Sequence, residues 1–415
     1  MKLTVIGLNY SPEPTGIAVY TSALATGLAE SHPDWSVRVI TGYPHYPQWR
    51  IYPGFEAVFR PETRRNLTVT RQRHYVPAAP KLINRLAMEI QFGMRSTFAR
   101  WGKPNAVILV TPALFAAGIA SIRARFARIP ITIWVQDIYS LGVTESGTGG
   151  SIAGSIVSRL EKAILGSAES VVVIHDRFGR YLVEKLNVDP TKIEVVRNWS
   201  HIDEPSSRTR SEVRAERGWS PDDIVVLHAG NMGAKQGLEN VVAAAAIASE
   251  RHSRVRFVLM GDGNQRSLLE SMPRSDRLDF VDPLPNREFS EALAAADILL
   301  VNERPGLTEM SVPSKLTSYF ASGRPVVAAT DVSSVTAEEL ATSQAGERVD
   351  ADDPGALVDA AERIANNDDE ARVLSDAGRA FSASLLSPEA AIAAFARIVR
   401  GRDAAVVDGT AAMSR

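Results

Sequence analysis

Residues 224–249 read IVVLHAGNMGAKQGLENVVAAAAIAS, and this stretch decides the fold. Ile224–His228 is a short apolar, β-branched run, which predicts a strand buried on both faces. Leu238–Ser249 carries apolar residues at helical spacing. Between them Gly230-Asn231-Met232-Gly233-Ala234-Lys235-Gln236-Gly237 supplies three glycines and a lysine. A strand, a Gly-containing turn and a helix open a βαβ unit. Backbone N–H groups at the helix start and the Lys235 ammonium make the turn a natural site for a diphosphate. The plainer reading is a surface turn with a solvated lysine. No Gly-Lys-Ser/Thr follows, so this is not a Walker A loop.

Outward from this unit the rhythm continues. Downstream, strands are expected at 256–260, 278–281, 298–301 and 325–328, with helices at 266–272, 287–295 and 315–321 between them. Upstream, strands at 2–8, 37–41, 67–71, 106–110, 131–135, 170–174 and 193–196 alternate with helical stripes. Strand-then-helix alternation requires a mostly parallel sheet. Asn198–Asp223 breaks the pattern, being rich in Ser, Pro, Arg and Glu, and reads as a domain boundary. The expectation is therefore an α/β protein of two Rossmann-like domains, 1–198 and 199–384. A C-terminal helix at 385–400 completes the first, and a flexible tail follows at 401–415.

Composition bounds the function. The chain has 415 residues, a formal charge of −2 and no cysteine. Near-neutrality gives no global attraction to nucleic acid. Without cysteine there are no disulfides, no thiolate catalysis and no Cys-bound zinc, which suits a reducing, cytoplasmic setting. Residues 1–7 read as a first buried strand rather than a signal peptide, and no stretch approaches the ~20 apolar residues that span a bilayer.

Two further loops sit where open α/β sheets bind ligands, beyond the carboxyl ends of strands. Asn9–Gly16 follows the first strand. Gly16 either admits a ligand close to the backbone or simply caps the helix. Gly306–Lys315 leads into another helix, where Ser314 and Lys315 place a cation at the positive helix end. That misfit is relieved if an anion lies between them.

Taken in order, Tyr10–Thr21, Gly42–Pro47, Val135-Gln136-Asp137, Arg197-Asn198-Trp199, Gly230-Asn231 with Lys235-Gln236-Gly237, Met260–Gly263, and Pro313-Ser314-Lys315-Leu316 with Ala321–Val326 resemble the family 4 retaining glycosyltransferases of GT-B fold. Within that family the resemblance is to colanic-acid-type fucosyltransferases and related exopolysaccharide enzymes. It implies two Rossmann-like domains facing across a cleft, with a nucleotide-sugar donor, a glycan or lipid-linked acceptor, retention, and no metal. The donor-diphosphate glycine falls on Gly16. Gly230, Asn231, Lys235 and Gly261 line the donor loop, with Asn231 where an Arg is usual. The family's Glu-x7-Glu element falls near Glu309 and Ser318, but Ser318 replaces the second Glu. Ser314 and Lys315 are placed to take part of the phosphate role. A family histidine aligns with Gln136; Asp137 beside it is expected to orient sugar hydroxyls, or else caps a strand end. His45 and Asn198 are acceptor-side candidates. Lys235, Asp137 and Glu309 carry the chemistry in this reading.

Asp350-Ala351-Asp352 matches an Asp-x-Asp metal motif but precedes Pro354 and reads as a helix cap. The seven histidines lack metal-ligand spacing. Between 81 and 101, Arg and Lys interleave with Leu, Ile, Met, Phe and Trp. That pattern fits a helix lying on an anionic inner leaflet, or a helix packed on its own sheet. The rivals in function are a nucleotide-sugar epimerase of the same fold, a binding scaffold without turnover, and an NAD oxidoreductase, which the missing dinucleotide fingerprint disfavours.

Overall fold

Continuous runs of apolar, largely β-branched residues fold as central parallel strands because helices cover both of their faces. The computed structural model describes every residue except 15, 58–59, 80, 141–150, 201–207, 307–313 and 402–415. It divides into two compact units, Met1–Asn198 together with the segment from Pro388, and Trp199–Ser387.

The first unit holds β1 (Lys2–Ile6), β2 (Ser36–Gly42), β3 (Glu62–Arg64), β4 (Leu67–Gln72), β5 (Ala106–Val110), β6 (Ile131–Val135), β7 (Ser170–Val173) and β8 (Ile193–Val195). Their order across the sheet is β3-β4-β2-β1-β5-β6-β7-β8. Every pairing is parallel except β3 with β4. The second unit holds β9 (Ile224–Ala229), β10 (Val255–Met260), β11 (Leu278–Val281), β12 (Ile298–Asn302), β13 (Val326–Ala329) and β14 (Gly346–Val349), all parallel, in the order β11-β10-β9-β12-β13-β14. Counted within its unit this is 3-2-1-4-5-6, the doubly wound order. The strand sequence reverses beside β1 in one unit and beside β9 in the other, so the loops after β1 and β9 lie at the switch points where such sheets bind ligands.

The chain returns to the first unit through helix Pro388–Arg400. The fit is tight: a Cβ added at Gly27 would lie 2.1 Å from Ile392 Cδ1. Phe395, fully buried, meets Trp134 of β6 edge-on at 4.8 Å between centroids. The return begins at Pro388 because helix Asp368–Leu385 occupies the preceding residues.

Several expectations need correction. The boundary between the units falls at Asn198/Trp199, inside the 198–223 segment, but that segment also holds a helix that was not expected. Thr209 caps helix Arg210–Glu216 in a reciprocal capping box with Glu212, and Val213 and Trp219 are buried in the second unit's core. Asp350 and Asp352 are not the cap of the helix beginning at Pro354. Asp353 accepts the Ala356 N–H at 2.8 Å, while Asp350 pairs with Arg348. One stretch, Asp368–Arg400, is long and apolar enough by composition to cross a membrane. It is broken at Leu386–Ser387, and Phe381, Phe395, Ile398 and Val399 are buried.

The basic helix anticipated at 81–101 forms as Leu82–Phe98. Met88 and Phe92 are core residues, and Gly93 lies against the backbone of Ala116 in helix Leu114–Phe126. Among the described residues, the large apolar side chains of this helix left outside are Ile83, Met94 and Phe98, joined by Ile122 and Phe126 of the neighbouring helix. Arg123 ties the two helix ends together by donating to the Ala99 carbonyl at 2.8 Å.

Phe395→Ala is expected to cost about 3–5 kcal/mol, read as a lower urea midpoint followed through the protein's tryptophan fluorescence. A loss below about 1 kcal/mol would show that the returning helix contributes little to the first unit's core.

Candidate active site

In the second unit the site is built from backbone before side chains. β9 ends in His228-Ala229 and runs into Gly230, and β10 ends in Met260 and runs into Gly261. Gly230 and Gly261 have φ of 128° and 140°, a region that side chains rarely adopt. A Cβ on Gly261 would lie 1.9 Å from the Gly230 carbonyl oxygen, and one on Gly263 2.5 Å from that of Met232. The two strand ends therefore touch backbone to backbone. The Gly230 N–H donates to Met260 and the Met232 N–H to Asp262, each at 2.8 Å.

Two buried polar side chains hold this floor in place. The Tyr319 hydroxyl, fully buried on helix Lys315–Ser322, accepts the Ala229 N–H at 2.8 Å. Asn302, at the end of β12, donates to the carbonyls of Gln236 and Gly237 at 2.8 and 2.9 Å, and its own oxygen accepts from Asn240. Neither residue was anticipated. Asn302 had a signal, a polar residue at the end of the apolar run Ile298–Val301, where a buried polar group must find a partner; Tyr319, inside a helix, had none.

Lys315 is the first residue of the Lys315–Ser322 helix, with Ser314 as its cap residue; Ser314 makes no side-chain capping bond. The Lys315 Cε lies 3.9 Å from where a Gly230 Cβ would stand, and its Nζ is 3.2 Å from His228 Nε2. Burial pulls the Lys315 ammonium down to about 7, opposed by the Glu303 carboxylate. Burial, with Lys315 nearby, also holds His228 well below its ordinary value. Ser318 is half-buried one turn along from Lys315, on the same side of the helix. Lys235 lies exposed on a short 3-10 turn, Ala234–Gln236, and its carbonyl accepts the Arg304 N–H at 2.9 Å. Gly230, Asn231, Gly261, Ser314, Lys315 and Ser318 thus belong to one end of one sheet. The deepest cation there is Lys315. Glu309 lies outside the described residues.

In the first unit Gly16 caps helix Ile17–Ser31 at φ 64°, and the space where a Cβ would stand is open to 4 Å. The preceding loop is locked by Glu13, whose buried carboxylate accepts the N–H groups of His45 and Tyr46 at 2.7 and 2.9 Å and the Asn9 amide at 2.8 Å. His45 is only 1% exposed and its ring lies against His74, so it is a core residue and not an acceptor-facing one. The ring is held inward because its Nδ1 lies 2.9 Å from the Tyr43 carbonyl oxygen and 3.4 Å from the Glu13 carboxylate. Asn198 and Gln136 exchange amide hydrogen bonds at 2.9 and 3.1 Å, joining the ends of β6 and β8. Asp137 is exposed beside them and accepts the Ile138 N–H. Glu161 accepts the next two backbone N–H groups, of Tyr139 and Ser140, and so fixes the chain that follows Asp137.

With these loops in place, similarity to known proteins becomes informative. The family described as Glycosyl transferase 4-like domain matches residues 15–199, and that described as Glycosyl transferases group 1 matches residues 223–367. The colanic acid biosynthesis glycosyl transferase WcaI of Escherichia coli K12 is 33% identical over 341 residues, covering 78% of this chain and 82% of that one. The chain belongs to the family 4-like glycosyltransferases. Among solved structures, sucrose-phosphate synthase of Thermosynechococcus elongatus superposes with a TM-score of 0.72 at 19% identity, covering 97% of this chain and 99% of that one. The Anabaena protein HepE in complex with UDP and glucose does so at 0.65 and 15%, covering 97% and 100%. At those identities the likeness concerns fold, and it assigns this glycosyltransferase to the GT-B architecture of two mostly parallel α/β sheets.

For the glycosyltransferase, Gly261→Ala combines a disfavoured φ with a backbone clash. It is expected to cost about 2–4 kcal/mol, measured by chemical denaturation. Full retention of stability would contradict the contact with Gly230.

Proposed function

We propose that this glycosyltransferase moves a sugar from a nucleoside diphosphate to a hydroxyl of a glycan or lipid-linked acceptor in surface polysaccharide synthesis, with retention and without a metal. The observation that carries the reading is Lys315, a half-buried cation against the Gly230 turn. The name of the E. coli relative supports the polysaccharide setting, and the HepE complex supports a UDP-type donor.

Cleavage of the sugar–phosphate bond leaves its electron pair on the phosphate oxygen. Lys315, the N–H groups near Gly230 and the start of the Lys315–Ser322 helix are suited to neutralise that charge in place of a metal. In a retaining displacement the acceptor oxygen bonds to the anomeric carbon on the face the phosphate leaves. The acceptor proton passes to a phosphate oxygen, so atoms and charge balance. Asp137 is proposed to orient sugar hydroxyls, and Gly16 to admit the diphosphate to the start of its helix.

The enzyme is proposed to work on the cytoplasmic side, with Ile83, Met94, Phe98, Ile122 and Phe126 dipping into an anionic leaflet. The exposed Arg95, Arg100, Arg125 and Arg128 would meet its headgroups. Flotation with phosphatidylglycerol vesicles is expected to carry the protein upward at low salt, and Phe98→Asp with Phe126→Asp to abolish this. Equal flotation of wild type and double variant would remove the proposed surface.

Thermal stabilisation across UDP-, GDP- and dTDP-sugars is expected to single out one donor, because a ligand of the folded state raises Tm by mass action. Lys315→Ala is expected to lower kcat/KM about 100-fold or more. Lys235→Ala, on the exposed 3-10 turn of the same loop, is expected to lower it as well, but by less than Lys315→Ala. The reverse ranking would move the phosphate site to the 3-10 turn.

A further inference from the structure

Helix Leu114–Phe126 buries Ala117, Ala120 and Ala124, yet its opposite side is apolar too. Phe115, Ile119, Ile122 and Phe126 recur there at spacings of three and four residues, a second stripe on one helix. The neighbouring helix Ser151–Gly166 faces it with Leu160, Ala163 and Ile164. The two helices meet at Gly118, where an added Cβ would lie 2.8 Å from Ile164 Cδ1. Around that contact they enclose a groove of about 610 Å³, within the roughly 300–1,000 Å³ of small-molecule sites.

The hydroxyls that line the groove are already bonded. Ser121 donates to the Gly118 carbonyl at 2.7 Å and Ser167 to that of Ile164 at 2.6 Å. Among the described residues lining it only Arg125 is charged, and Arg125 is exposed beside Phe126. An extended peptide lying here would leave its N–H and C=O groups without partners. A hydrocarbon chain has none to satisfy.

The groove also has a direction. Phe115 follows β5 at the carboxyl edge of the sheet, and its ring meets that of Tyr139 edge-on at 5.4 Å between centroids. Tyr139 is two residues past Asp137. Phe126 ends the same helix before β6 begins, about 16 Å further along at a rise of ~1.5 Å per residue. Phe98 ends its own helix before β5 and lies at the same amino edge. A bilayer met by Phe98 and Phe126 is therefore separated from Asp137 by the length of the groove. A sugar carried on a membrane lipid reaches Asp137 only if part of its tail leaves the bilayer, and the apolar path between the two points is this groove.

We propose that the groove between helices Leu114–Phe126 and Ser151–Gly166 holds the hydrocarbon tail of a lipid-linked glycan acceptor, from the bilayer surface at Phe126 to the sugar at Asp137. This deepens the acceptor reading given above and rests on it. Leu160 and Ala163 form one wall, Ile119 and Ile122 the other, and Arg125 stays at the mouth among the headgroups.

The probes are β-D-glucosides with octyl, decyl or dodecyl chains, titrated by calorimetry below their micelle-forming concentrations, with methyl β-D-glucoside as the head without a tail. Kd is expected to fall about tenfold or more from octyl to dodecyl, and methyl glucoside to bind at least about 100-fold more weakly than dodecyl. Ala163→Trp fills the groove and Leu160→Gln makes it polar. Each should weaken dodecyl glucoside about tenfold or more without lowering Tm. Phe98→Asp, outside the groove, should bind the probe as wild type does. Equal affinity across the chain lengths, or wild-type binding by both groove variants, overturns the tail site. So does a concentration-dependent dimer in analytical ultracentrifugation that Leu160→Gln abolishes, since a second copy is then the occupant. If Ala163→Trp does not fold, Leu160→Gln decides. Sugar transfer that ignores chain length removes the groove and leaves the proposed reaction standing. Tail-dependent binding without stabilisation by any nucleotide-sugar keeps the groove and overturns the proposed donor.

Discussion

The closeness of two strand ends governs the second unit. Because Gly261 lacks a side chain, the turn after β10 can rest on the Gly230 carbonyl, leaving backbone amides and no side-chain bulk at the switch point of the sheet. Everything polar nearby serves that contact. Tyr319 takes up the Ala229 N–H, Asn302 pins the far end of the loop, and Lys315 arrives from the next helix with its charge at the same spot. A floor made of backbone is rigid. The N–H groups it presents are fixed without ordering any rotamer, which is the advantage of a preorganised electrostatic site over a flexible one.

The first unit solves its equivalent problem with buried side chains instead. Glu13 gathers the backbone of two loops and an asparagine amide, while Gln136 and Asn198 clasp two strand ends. These bonds are inside, so each would be expensive to leave unmade. They fix the loops around Gly16 and Asp137 without occupying the surface those residues present.

Much of this was legible in the sequence. Central strands such as Ala106–Val110 and Ile224–Ala229 carry their burial in every residue, and the ordered motifs named the family. The edges were less legible. Gly346–Val349 is a polar edge strand, and Arg210–Glu216 and Asp368–Leu385 are helices with few large apolar residues. Their stability comes from caps and from a few anchors such as Trp219 and Phe381, which periodicity does not register. His45 misled because a histidine in a loop after a strand has the same local signature whether its ring points outward or inward. What decides is the ring's own contacts, with the Tyr43 carbonyl and with Glu13 and His74 far along the chain. The Lys315–His228 contact was illegible for the same reason, since 87 residues separate its partners.

The return of the chain at Pro388 has a consequence for biosynthesis. Ribosomes emit residues 1–198 first, yet the groove that receives Ile392 and the face of Trp134 that receives Phe395 stay uncovered until the whole second unit has been translated, an interval of roughly 10–40 s. During that interval the nascent first half presents an apolar scar to chaperones and to neighbouring chains on the same polysome. Completion of one half therefore waits on synthesis of the other.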